Sequence, residues 1–159
     1  MSSRDVRLAN EAWEALFRAQ ATLSQAFERE GNWGDLLPRE YGVLYALANA
    51  PQGLRMTEMC EDVLLTQAGI SRLVARLEKR ALVERTGDPD DARAYRIRMT
   101  SAGVDVQRRI GRTHARQVAV AMTRALDREQ LRTLREITVA LAAATPSGPR
   151  TPSKGTDHE

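Results

Sequence analysis

One segment near the middle of the chain carries polar side chains that could hydrogen-bond to base edges and phosphates: Thr66, Gln67, Ser71, Arg72 and Arg76. Arginine pairs with guanine edges, glutamine with adenine edges, and hydroxyls with bases or phosphates. Apolar residues recur among them at helical spacing, as Ile70, Leu73, Val74 and Leu77. The segment predicts a helix from an N-cap at Thr66 to Arg80, with a buried stripe and a polar outer face. A merely solvated helix face holds the same residue types, and that alternative stays open.

Other residues with reactive side chains are few. The two histidines, His114 and His158, lie in no run of Cys, Asp or Glu at metal-ligand spacing. Ser71 has no Gly-x-Ser-x-Gly sequence around it and no evident histidine partner, and no glycine-rich phosphate motif occurs. We therefore predict that the protein is not an enzyme, that it holds no metal and that it needs no cofactor.

The segments around the polar helix predict the elements that would position it. A short helix from an N-cap at Thr57 to Val63 precedes it. Residues 82–85 read as a brief strand, and 95–99 alternate apolar and basic side chains as a half-buried strand does. The polar stretch 86–93 predicts the hairpin tip between them. Helix, turn, helix, strand, hairpin and strand is the order of a winged helix-turn-helix, whose second helix fits the major groove.

Long amphipathic helices are predicted on both sides of this module. Residues 5–30 repeat apolar side chains at three- and four-residue steps. Residues 101–143 contain two further helices. Thr100 can cap the first, and Asp127 with Gln130 forms a capping-box-like start for the second. Because their apolar stripes exceed what a small winged module can cover, we expect 5–30 and 101–143 to be dimerisation helices.

The domain organisation follows from length and local composition. The chain has 159 residues, which suits one compact domain. We predict a mainly α single domain over 1–144, with the winged helix-turn-helix module at 36–100 and a two-stranded β wing. Pro38 fits the first turn of the module's first helix. Residues 145–159 are rich in Pro, Ser, Gly and Thr and predict a disordered tail.

Charge and composition narrow the class of protein. Residues 66–112 carry eleven Arg or Lys against six Asp or Glu, whereas 1–65 carry six against ten. A basic middle segment favours an anionic polymer as partner, although an arginine-rich proteome gives the same bias. No apolar run reaches the roughly 18 to 20 residues of a membrane helix, and no signal peptide is evident, so we expect a cytoplasmic protein without membrane contact. A single cysteine excludes an intramolecular disulfide.

Several spaced motifs together resemble the MarR family of regulators. They are Ser71-Arg72, Leu82-Val83-Glu84-Arg85, Asp91-x-Arg93 and Thr100-x-x-Gly103. At lower specificity the likeness covers residues 6–143, because the order and lengths of the helices match. Two positions depart from the family pattern, where Ala81 and Leu64 replace glycines. Ala81 is expected to alter the helix exit and hence the angle of the wing.

The resemblance implies a homodimer whose two winged modules bind a pseudo-palindromic site on double-stranded DNA. It implies that the helix from Thr66 reads the major groove, that Arg93 enters the minor groove, and that Asp91 helps to hold the wing. It also implies release by a small ligand from a cleft between the dimer helices and the DNA-binding module. Four aromatic residues could line such a cleft for an aromatic effector, with core packing as their alternative role: Trp13, Phe17, Tyr41 and Tyr45.

We therefore predict a homodimeric transcriptional repressor that binds an operator and is released by a small-molecule effector. Two alternatives stay open. One is a redox-responsive regulator acting through Cys60, although a packed structural thiol is the simpler interpretation of that residue. The other is an all-helical dimeric adaptor that binds protein and never DNA.

Overall fold

The computed structural model describes residues 2–63 and 67–144, with the side chains of 61–63 and 67 left aside. Six helices and two strands follow one another in these residues: α1 (Ser3–Glu30), α2 (Pro38–Ala48), α3 (Met56–Val63), α4 (Gln67–Lys79), β1 (Val83–Gly87), β2 (Tyr95–Met99), α5 (Ser101–Thr123) and α6 (Arg128–Ala144). They form two compact units, Met1–Ala119 and Val120–Glu159. The predicted element order is confirmed, while the single domain over 1–144 stays a prediction. The predicted disordered tail, 145–159, lies outside the described residues.

Side-chain caps define most of the helix starts. Thr100 caps α5, since its Oγ1 accepts the Gly103 N–H at 3.1 Å. Asp127 and Gln130 accept each other's backbone N–H groups at 2.9 Å and so start α6 as a capping box. The prediction of Thr57 as a cap is wrong: α3 begins one residue earlier, and the Arg55 N–H donates to Glu58 Oε2 at 2.7 Å. The cap therefore comes from a glutamate inside the first turn.

The core of the first unit is built from α2, α3, α4 and the two strands. The predicted apolar stripe of α4 is buried in it, with Ile70, Val74 and Leu77 fully covered and Leu73 partly covered. Further fully buried side chains come from the neighbouring elements: Val43, Leu44, Met59 and Ile97. Aliphatic packing of this kind fixes which face of α4 points outward.

The two strands form an antiparallel hairpin, the wing. Val83 pairs with Met99 and Gly87 pairs with Tyr95. The first strand starts and ends later than the predicted 82–85, because pairing to β2 continues through Gly87. The predicted second strand, 95–99, is confirmed. A bridge between Leu54 and Ile97 joins the hairpin to the segment before α3.

The passage from α4 into the wing depends on two small residues. Ala81 has a positive φ of 53°, the left-handed conformation that favours glycine. Gly103 lies so close to the Leu82 carbonyl that a Cβ there would overlap the carbonyl oxygen. Thr100 connects the two points, because its Oγ1 donates to the Ala81 carbonyl at 2.7 Å. The departure from glycine at Ala81 is therefore accommodated with backbone strain.

The long α1 buries none of its residues completely. Its apolar side chains Leu8, Trp13 and Phe17 are 65%, 64% and 57% exposed. In the second unit, α6 likewise has no fully buried residue, and Ile137 and Val139 are each 59% exposed. Among the described residues, no helix is long and apolar enough to cross a membrane.

Candidate nucleic-acid interface

The outer face of α4 carries the predicted base-contacting residues. Ser71 and Arg72 are exposed on it, and Arg72 Nε donates to the Ala68 carbonyl at 3.4 Å. Gln67 is the first residue of α4, which places it at the helix end that enters a groove in helix-turn-helix proteins. Its side chain lies outside the described part of the structure, as does all of Thr66. Of the two, only the backbone position of Gln67 is therefore fixed.

Arg76 lies one turn further along α4, and its side chain is 57% exposed. Its Nε is 2.9 Å from Oε1 of Glu40, a residue of α2 whose side chain is fully buried. The buried carboxylate of Glu40 therefore contacts Arg76, a predicted DNA-contacting residue, from the side of the core. Sequence reasoning missed Glu40, because its place near the start of a helix is explained by capping alone.

The tip of the wing holds the second predicted group of contacts. Arg93 is exposed there, and its backbone N–H donates to Asp91 Oδ1 at 3.0 Å. Asp91 is itself exposed, and the Ala94 N–H donates to its carbonyl at 2.9 Å. These bonds shape the turn that carries Arg93 outward. These bonds stay within the tip, where Asp91 orders the turn.

A different aspartate, Asp88, fastens the wing. Its Oδ2 accepts from Arg55 Nε at 2.6 Å and from Arg96 Nε at 3.0 Å. Arg96 also donates to the Gly53 carbonyl at 3.2 Å, in the turn after α2. Asp88 has no exposed side-chain surface, whereas Asp91 is exposed. The sequence places three aspartates in one four-residue turn and does not tell which of them is covered.

A cavity of about 750 Å³ lies between α1, α2 and α5, and the residues that line it all belong to the first unit. Its walls include Phe27, Trp33, Tyr41 and His114. The His114 ring packs 5.0 to 5.6 Å from the centres of the other three rings. Burial lowers the pKa of His114, so its ring is neutral near pH 7. Its Nδ1 is covered and has no hydrogen-bond partner among the described residues.

The predicted ligand-binding aromatics divide between this cavity and the outer surface of α1. Tyr41 and Tyr45 line the cavity, and burial raises the pKa of Tyr41. Trp13 and Phe17 are not among the residues that line it; they pack against each other with ring centres 6.4 Å apart on an exposed face. Phe27, Trp33 and His114 also line the cavity and were not predicted for this site. These three residues lie outside α2, which carries Tyr41. Helical periodicity in the sequence therefore does not relate them to Tyr41.

Cys60 is partly buried on α3 and packs against the core of the first unit. Among the described residues, no group of three or more His, Cys, Asp or Glu side chains is placed to hold a metal ion. The exposed face of α4 carries Ser71, Arg72 and Arg76, and the wing tip carries Arg93.

These elements define a winged helix-turn-helix protein, with α3 and α4 as the helix pair and β1 and β2 as the wing. Residues 35–94 match the sequence model of the MarR family. Over this region the chain is similar to the MarR family, as its motifs indicated. The transcriptional regulator HosA of Escherichia coli O111:H- is 35% identical over 69 residues, which cover 43% of this chain and 50% of HosA. The chain spans about half the length of the curated relatives it matches.

Two solved structures from Streptomyces coelicolor resemble the chain over most of its length. A MarR family transcriptional regulator in complex with DNA is 28% identical, with a TM-score of 0.67 over 96% of this chain and 95% of that one. The PcaV transcriptional regulator in complex with its natural ligand is also 28% identical, with a TM-score of 0.61 over 85% of this chain and 92% of PcaV. Both of these relatives are transcriptional regulators.

Proposed function

We propose that this chain is a transcriptional regulator that binds double-stranded DNA in the cytoplasm. The observation that carries the proposal is the pairing of two exposed surfaces in one unit. The outer face of α4 presents Ser71, Arg72 and Arg76, and the wing tip presents Arg93. A recognition helix in the major groove and a wing arginine in the adjacent groove need this arrangement. The DNA complex of the Streptomyces coelicolor relative supports it.

We further propose that two copies bind a pseudo-palindromic operator. A stripe of exposed apolar side chains supports this on α1, where Val6, Trp13 and Phe17 recur at steps of seven and four residues. Ile137 and Leu141, four residues apart on one face of α6, are exposed as well. Large apolar side chains left in water mark protein interfaces, and a symmetric pair places two recognition helices on successive half-sites.

The cavity beside α2 suits an effector that releases the DNA, so we propose a repressor under small-molecule control. Its volume falls in the range of ligand sites, and its walls include the aromatic rings of Phe27, Trp33, Tyr41 and Tyr45. Arg39 and Arg108, which also line the cavity, offer polar contacts to a small aromatic molecule. The PcaV complex with its natural ligand shows that a relative of this fold binds a small molecule. Cys60, packed against the core, favours this mode of control over a redox switch.

Selection from a random-sequence duplex pool tests the proposal. The purified full chain is expected to enrich a duplex with two inverted half-sites centred about one helical turn apart. That duplex then serves as the selected duplex in further measurements. Failure to enrich any duplex over successive rounds would contradict DNA recognition, and enrichment of a single asymmetric site would contradict the dimer.

A further inference from the structure

The buried carboxylate of Glu40 occupies an unusual position for a helix-capping residue. Its Oε2 accepts the Leu37 N–H at 2.8 Å, which caps α2. Its Oε1 is covered and accepts no aligned hydrogen bond among the described residues. An ionised carboxylate in such surroundings requires a compensating charge. Capping explains one oxygen of Glu40 and leaves the other to be accounted for.

The compensating charge comes from α4. Arg76 Nε lies 2.9 Å from Glu40 Oε1, and Arg80 Nη1 lies 3.9 Å from Oε2. Arg80 is engaged elsewhere, since its Nη1 donates to the Asp35 carbonyl at 2.9 Å. Arg76 is therefore the close partner of Oε1, through ion pairing rather than an aligned hydrogen bond.

The geometry leaves the outer end of Arg76 available. The contact to Glu40 uses Nε, the nitrogen nearest the aliphatic stem, and 57% of the side chain is exposed. Bidentate recognition of guanine uses a planar guanidinium in a defined orientation. A long arginine side chain that is free in solution loses rotamer freedom on binding, whereas one already oriented loses less.

We propose that Glu40 is a positioning residue for DNA recognition, which orients the Arg76 guanidinium so that its terminal nitrogens meet a guanine edge in the major groove. This inference rests on the proposed function. Glu40 lies in the core and touches no DNA itself; it acts through Arg76. Its loss is expected to weaken discrimination at one base pair by about two- to tenfold, the fold-change that corresponds to ordering one long side chain.

Glu40→Gln is the informative variant, because glutamine can still accept the Leu37 N–H while its neutral amide no longer attracts Arg76. Glu78→Gln is the matched control. Glu78→Gln also removes one negative charge from the region of α4. The Glu78 carboxylate pairs with Arg85 at 2.7 Å and not with Arg76. Any general gain in DNA affinity from lost negative charge is common to both variants.

The experiment measures dissociation constants on the selected duplex and on versions with each base pair replaced in turn. The proteins are the parent, Glu40→Gln, Glu78→Gln, Arg76→Ala and the Glu40→Gln/Arg76→Ala double variant, with circular dichroism to verify folding. Glu40→Gln is expected to reduce the parent's preference at the base pair whose preference Arg76→Ala abolishes. It is expected to have no further effect in the Arg76→Ala background, and Glu78→Gln is expected to keep the preference. If Arg76→Ala does not fold, Arg76→Lys replaces it, since it retains a charge opposite Glu40.

The positioning role would be overturned if Glu40→Gln kept the parent's full base-pair preference, or if it reduced affinity equally with and without Arg76. Either result would leave the proposed function intact. A parent protein that selects no duplex would overturn both. If Arg76→Ala changed no base-pair preference, the positioning role would be overturned and the proposed function would stand.

Discussion

The carboxylate of Asp88 in the wing lies 2.6 Å from the guanidinium of Arg55, thirty-three residues earlier in the chain. Arg55 immediately precedes α3, so this ion pair joins the tip of the wing to the helix-turn-helix. The hydrogen bond from Arg55 is the main cause that holds the pKa of Asp88 well below its usual range. Asp88 is therefore charged, and the pair intact, throughout the pH range in which the protein would bind DNA.

Asp88→Asn is expected to lower the melting temperature at pH 7, because both arginine partners lose their counter-charge. A carboxylate with a depressed pKa contributes stability above its ordinary pKa and loses it as the pH falls. The difference in melting temperature between parent and variant should therefore narrow in acid, in thermal melts between pH 3 and pH 7. Asp91→Asn is the control, since Asp91 bonds within the tip. An Asp88→Asn difference that does not change with pH would contradict the ion pair.

Ala81→Gly is expected to stabilise the protein by about 0.5–1 kcal/mol. The left-handed backbone of Ala81 costs an L-residue about 1–2 kcal/mol, and the greater freedom of glycine in the unfolded chain offsets part of the gain. Urea unfolding of the two proteins measures the difference. Ala75→Gly, at an exposed position inside α4, should instead destabilise, since its backbone is helical. A destabilised Ala81→Gly protein would show that the turn is not strained.

The stability of the protein is expected to fall as the pH drops below about 6.5, the ordinary pKa of histidine. Burial lowers the pKa of His114, so the unfolded chain takes up the proton more readily than the folded protein. Urea unfolding at pH 8, 7, 6 and 5 follows this loss. Replacing His114 with Leu should flatten the profile in that range. An unchanged profile in the variant would assign the pH dependence to other groups.

Trp13→Glu with Phe17→Glu is expected to shift the full chain from dimer toward monomer in sedimentation. Both side chains are more than half exposed, so the substitutions place charges on the proposed interface without disturbing a core. Tyr95→Glu serves as a control at an exposed aromatic of the wing. A dimer that survives the double substitution would place the interface elsewhere.

Local patterns predicted the elements well where one face is buried. The stripe of Ile70, Val74 and Leu77 fixed both α4 and its outer face, and alternation in 95–99 fixed the second strand. The tertiary partners of charged residues were not predictable. Asp88 pairs with Arg55, and Glu40 pairs with Arg76, although the partners are far apart in the sequence. A sequence does not reveal which charged residue of a polar segment becomes buried.

The cavity shows the same limit for aromatic residues. Four aromatic residues of the first two predicted helices were assigned to the ligand cleft that the family resemblance implies, and two of them, Tyr41 and Tyr45, line the cavity. Trp13, assigned on the same basis, is exposed on α1, whereas His114 of α5 lines the cavity. Residues brought together by packing of separate helices carry no common spacing, so only the folded arrangement assembles them.

The central claim is that α4 and the wing bind DNA, and salt titration of affinity tests it most directly. The parent, Arg76→Ala and Arg93→Ala are compared on the selected duplex and on a mixed-sequence duplex at several salt concentrations, with circular dichroism to verify folding. Arg76→Ala, and likewise Gln67→Ala, should cost about 1–3 kcal/mol on the selected duplex and relax one base preference. Arg93→Ala should weaken binding to both duplexes. It should also lower the slope of the logarithm of affinity against the logarithm of salt concentration by about one unit for a lost phosphate contact. Unchanged binding by folded Arg76→Ala and Arg93→Ala together would contradict the account.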